Sequence, residues 1–120
     1  MTPFARYEAR VREGQLGAWG TTLLVEGLVA ALIARLFGLA PSRAARAAIA
    51  GSLTTHPFVW WAYFQLIHTY DYWTTLALIE CIAVFGETPF YRLAGAPWHR
   101  ALLISLIVNA SSVLVGLWVL

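Results

Sequence analysis

Four apolar stretches of membrane-spanning length fill most of this 120-residue chain, and their spacing constrains its fold more than any single motif. A bilayer core takes about 20 helical residues to cross. The stretches run from about Leu16 to Leu39, Ala44 to Ile67, Tyr72 to Tyr91 and Arg100 to Leu120. Only short breaks lie between them. Pro41-Ser42 reads as a helix stop followed by an N-cap candidate. His68-Thr69-Tyr70-Asp71 is a polar turn in which Asp71 is placed to cap the third stretch. Gly95-Ala96-Pro97 divides the last two. Loops this short make consecutive helices antiparallel neighbours. The expected fold is all-α: an up-down antiparallel four-helix transmembrane bundle over residues 16–120. Residues 1–15 precede it, either as an amphipathic segment on the membrane surface or as a frayed tail.

Composition enters where a soluble alternative must be weighed. Sixty per cent of the residues are hydrophobic and 12% are charged, about half the charge of a soluble domain. Charge facing hydrocarbon is costly, so the first partner expected is the lipid bilayer. All eight basic residues are arginine and they are scattered, with a net charge of +2. That pattern excludes a nucleic-acid partner. The single Cys81 excludes an internal disulfide and a thiolate zinc cluster, and it reads as a small buried hydrophobe. A cleaved signal peptide is the rival reading of the first stretch, with Arg6, Arg10 and Arg12 as its basic start and Gly38-Leu39-Ala40 as its cut site. Glu26 inside the apolar run and Pro41 just past the cut count against it.

Aromatic and basic residues give the layout across the bilayer. Trp and Tyr favour membrane interfaces. One interface collects Trp19, Trp60, Trp61, Tyr63, Tyr70, Tyr72, Trp73 and Trp118; the other collects Phe37, Phe90, Tyr91 and Trp98. Arg35, Arg43, Arg46, Arg92 and Arg100 lie on one side, and Arg6, Arg10 and Arg12 on the other. Positive-inside counting puts the Arg-bearing loops 40–46 and 92–100 in the cytoplasm.

Halving each stretch exposes a second pattern. The centres fall near Glu26, His56, Glu80 and Asn109. Glu87 follows Glu80 by seven residues and shares its helix face. Polar groups facing lipid would each cost a few kcal/mol, so the expectation is an inward polar layer of Glu26, His56, Glu80, Glu87 and Asn109. Ser52, Thr55, Ser105 and Ser112 support it. Small residues repeat beside it: Gly27, Ala31, Ala34 and Gly38; Ala44, Ala48, Ser52 and Thr55; Ser105, Asn109, Ser112 and Gly116. Such stripes let helices pack closely and bond across. Pro57 removes a backbone N–H and frees the Leu53 carbonyl, predicting a kink whose open backbone adds to the layer.

The layer has a structural and a chemical use, and the structural one is the function expected here. A non-enzymatic accessory or structural subunit of a larger membrane complex, or a self-associating one, needs the layer only as internal bonding. A proton or cation pathway would use the same Glu and His groups as relay points, titrating together. A metal site built on one His and two or three carboxylates is the third reading, without any diagnostic spacing. A hydrolase built on Ser52, Thr54 or Thr55 beside His56 needs a hydroxyl–imidazole pair. No cofactor is indicated: His68 and His99 fall at opposite interfaces, so haem finds no axial pair.

The motif residues resemble a family. Thr55-His56-Pro57-Phe58-Val59-Trp60 is similar to the T-H-P…W second-helix stretch of short bacterial four-helix integral membrane proteins that have no assigned activity. Glu80, Glu87 and Tyr91 resemble their third-helix pattern, and Arg100-Ala101-Leu102 with Ser105, Asn109, Ser112 and Gly116 their closing helix. Glu26 matches a first-helix glutamate. Ser52 departs from the pattern, where an asparagine is expected. The resemblance implies a multi-pass protein of the bacterial inner (cytoplasmic) membrane and implies no reaction.

Overall fold

The computed structural model describes residues 3–119, with side chains from Trp19 to Trp118. Four helices make up the fold: α1 (Pro3–Ile33), α2 (Pro41–Leu66), α3 (Tyr72–Leu93) and α4 (Trp98–Val119). No strand occurs among the described residues. α1 is continuous through positions 15 and 16. The side chains that would make residues 1–15 amphipathic, Arg6, Arg10 and Arg12 included, lie outside the described residues.

Local chemistry sets the ends. A 3-10 turn, Ala34–Phe37, extends α1 and stops at Gly38, whose φ of 76° is the left-handed conformation glycine adopts freely. Ala40, not Ser42, is the residue flanking α2, because Pro41 takes the first helical position, where its missing N–H leaves nothing unpaired. Asp71 does cap α3: its Oδ1 accepts the Thr74 N–H at 2.7 Å. The Thr74 hydroxyl, and after it this N–H, hold the exposed carboxyl below its usual range. Gly95, at φ 119°, turns the chain before Pro97 and α4.

α1 packs on α2 and α4, and α3 packs on the same two, so the helices close a ring. The molecule measures 52 × 24 × 23 Å. One end is tightly filled. Ala30, Ala34, Ala44, Ala47, Ala48 and Ala101 bring the backbones together there, around Tyr91, Ile104 and Val108. The expected first stripe is adjusted: Gly27 and Ala34 face inward, whereas Gly38 is the exposed cap. Tyr91 belongs to this core rather than to an interface, and Cys81 is exposed rather than buried.

Glycines set the register of α2 against α3. A Cβ on Gly51 would meet Glu87 Cγ at 3.2 Å, and one on Gly86 would meet Thr55 Cγ2 at 2.8 Å. Thr55 cannot easily yield, since its hydroxyl bonds the Gly51 carbonyl at 3.0 Å. Gly51 therefore faces Glu87, and Thr55 faces Gly86. Pro57 lies inside α2 on its exposed side without ending the helix.

Two stretches, Trp19–Phe37 and Trp98–Trp118, are long and apolar enough to cross a membrane. Large apolar side chains are exposed on all four helices, including Leu32 (80%), Phe58, Phe85 and Leu106.

Candidate functional site

Two carboxyls lie inside this bundle. Glu26 on α1 is 2% exposed and Glu87 on α3 is 1% exposed. Their carboxyls face each other within hydrogen-bonding reach; Ser52 of α2 reaches Glu26 and Asn109 of α4 reaches Glu87. Two carboxylates carry only acceptors, so such a pair is completed by a proton or a cation between them. Glu26 Oε2 and Glu87 Oε1 have no hydrogen-bond partner.

Asn109 is held from below. Its Nδ2 donates to the Ser105 carbonyl at 2.9 Å. Ser105 Oγ donates across to the Val84 carbonyl of α3 at 2.7 Å, and Thr88 Oγ1 donates to that same oxygen. α3 and α4 are thus fastened together beside the acid pair.

Above the pair the helices part around a cleft of about 560 Å³. Glu26, Ser52, Glu87 and Asn109 reach it at one end. From there its walls run past Thr55, His56 and Glu80 to Tyr63, Tyr72 and Leu117, at the end that carries the α2–α3 turn. Ser112 also lines it; Ser105 and Pro57 do not.

The expected single layer is thus split by depth. Glu26 meets Glu87 rather than Glu80, because the Gly51 and Gly86 contacts fix α3 at that height. Glu80 is two turns nearer the open end. His56 joins no carboxyl: Trp19 stacks on its ring, with centroids 5.1 Å apart, and its Nε2 accepts the Trp60 indole N–H. An accepting Nε2 leaves Nδ1 to carry the proton of the neutral ring. Neither Pro57 nor Leu53, whose carbonyl it frees, lines the cleft, so the expected contribution of open backbone is not found there.

Some of this was hidden from sequence reasoning. Trp60 lies four residues after His56, a spacing that puts the two rings on one helix face, yet it reads as an interface marker. Tyr91 and Thr75 are buried polar residues whose hydroxyls find no partner, and neither belongs to the expected layer. Pro89 in α3 has no counterpart in the expected pattern.

Other chemistries gain no support. Thr54 and Thr55 bond the carbonyls one turn back, at Ala50 and Gly51, and Trp60 occupies His56 Nε2. No hydroxyl–imidazole pair is formed by these residues. Among the described residues no three His, Cys, Asp or Glu side chains gather to hold a metal. The chain matches no protein-family model, no curated protein and no solved structure.

Proposed function

We propose that this chain is a four-span integral membrane protein that acts by binding rather than by catalysis, holding a proton or a cation at the Glu26–Glu87 floor of its cleft. One observation carries this: polarity is inverted, with carboxyls buried and leucines outside. Water would penalise that arrangement and hydrocarbon favours it. Each helix is 22 residues or longer, or about 33 Å at 1.5 Å per residue, against a hydrocarbon core of about 30 Å. Arg35, Arg43, Arg46, Arg92 and Arg100 are all exposed at the filled end. Positive-inside counting makes that end cytoplasmic, so the cleft opens to the far side.

The test begins with membranes washed in alkaline carbonate. The protein is expected to stay with the lipid; release into the wash would refute the membrane assignment. In nanodiscs, infrared carboxyl bands are then expected to change with pH and to lose a component in Glu87→Gln. Bands identical in both proteins would refute the binding site.

A second reading, an accessory subunit on a larger membrane partner, is favoured by one feature. Leu24, Leu28, Leu32 and Leu36 form an exposed ridge along α1 and the 3-10 turn that extends it. Purification in mild detergent is expected to bring down a partner through this ridge. A bare monomer would count against it.

A further inference from the structure

The cleft has the makings of a site for something larger than a proton. Its volume lies within the range of small-molecule pockets, about 300–1,000 Å³. Its floor holds two carboxyls, each almost wholly buried and each with an oxygen lacking a partner. Glu80 adds a third on the wall, and among the described residues no Arg lines the cleft. Aromatic rings stand above the acids: Trp60 and Tyr63 meet edge to face at 5.8 Å, and Tyr72 lies across the cleft on α3. Acids and aromatic rings are the two kinds of group that attract an organic cation.

A second feature bears on how such a ligand could enter. An apolar groove of about 550 Å³ runs along the outside of the α3–α4 seam, past Phe85, Leu102 and Leu106. It shares Glu80 and Val113 with the cleft. A molecule dissolved in the surrounding apolar phase therefore has a lateral approach that ends at a carboxyl.

Resting on the binding reading above, we propose that the cleft takes up a lipophilic organic monocation in exchange for the proton held between Glu26 and Glu87. One positive charge enters and one proton leaves, so the charge of the floor is unchanged. Among the described residues, the titratable groups facing the floor are Glu26 on α1, His56 on α2, and Glu80, Glu87 and Tyr91 on α3, and α4 contributes neutral Asn109 and Ser112. Proton and cation compete for one pair of oxygens, so acid weakens binding.

The test uses two ions of the same shape and opposite charge, tetraphenylphosphonium and tetraphenylborate, with the full chain in nanodiscs and empty nanodiscs as blank. Tetraphenylphosphonium is expected to bind above the blank, release about one proton in weak buffer and bind at least tenfold more weakly two pH units lower. Glu87→Gln, checked for helicity and monodispersity, is expected to abolish the proton release. Glu80→Gln leaves the floor intact and is expected to weaken binding severalfold. Equal uptake of both ions, or proton release unchanged in Glu87→Gln, would overturn the proposal. No uptake of the cation, with the pH-sensitive carboxyl bands still present, would overturn the substrate class and leave the proton site standing. Loss of both would overturn the two together.

Discussion

The two ends of the bundle are built from different materials. At the filled end alanines on α1, α2 and α4 draw the helices together around Tyr91. At the other end Trp60 and Tyr63 of α2 and Tyr72 of α3 line a cleft between the helices. Between the two lie Glu26 and Glu87. The contrast shows how a short four-helix bundle can combine rigidity with a cavity. Small side chains let backbones approach and gain dispersion contacts, whereas large rings on facing helices leave space that their own packing does not fill.

The largest effects should fall in the filled end. Tyr91→Ala is expected to cost about 3–5 kcal/mol by leaving a cavity among fixed neighbours, whereas the exposed Tyr72→Ala should change stability by less than about 1 kcal/mol. Denaturant titration in detergent compares them; equal losses would erase the distinction. Gly86→Ala tests the junction. The new methyl meets Thr55 Cγ2, at a cost of about 2 kcal/mol, and Thr55→Ser should restore most of it by removing that carbon while keeping the hydroxyl. Ser105→Ala removes the cross-helix bond to Val84 and should cost about 1 kcal/mol. Tyr91→Phe separates packing from hydrogen bonding: its hydroxyl has no partner, so stability should hold or rise.

The smallest effect belongs to the α2–α3 turn. The folded Asp71 carboxyl is held below its usual range by Thr74. Its cap is therefore fully present above the ordinary carboxylate range and lost as pH falls through the lowered folded value. Amide exchange at Thr74 should quicken at acid pH, and Asp71→Ala should exchange quickly at every pH. A pH-independent Thr74 amide in the unmodified protein would contradict the cap.

Helix number, the breaks between helices and the inward turn of Glu26, Glu87 and Asn109 were legible in the sequence, because length and polarity along an apolar run are local properties. Asp71 announced its cap in the same way. Height was not legible. Glu80 and Glu87 share a face, and only the contacts of Gly51 and Gly86 across the α2–α3 seam decide which of them meets Glu26. Nor could His56 be assigned to Trp19, since stacking between α1 and α2 depends on how far one helix slides along the other. The cleft itself escaped notice, because absent atoms leave no mark in a one-dimensional pattern.

The Val84 carbonyl, which accepts both Thr88 and Ser105, has a mechanical consequence. It clamps α3 to α4 at the depth where Ser52, Glu26, Glu87 and Asn109 join the other helices. Below this belt lies a stem, and above it four prongs, as in a tuning fork. In a bilayer, lateral pressure from one leaflet would squeeze the prongs while sparing the stem. The thickness and crowding of that leaflet would then set how wide the fork stands.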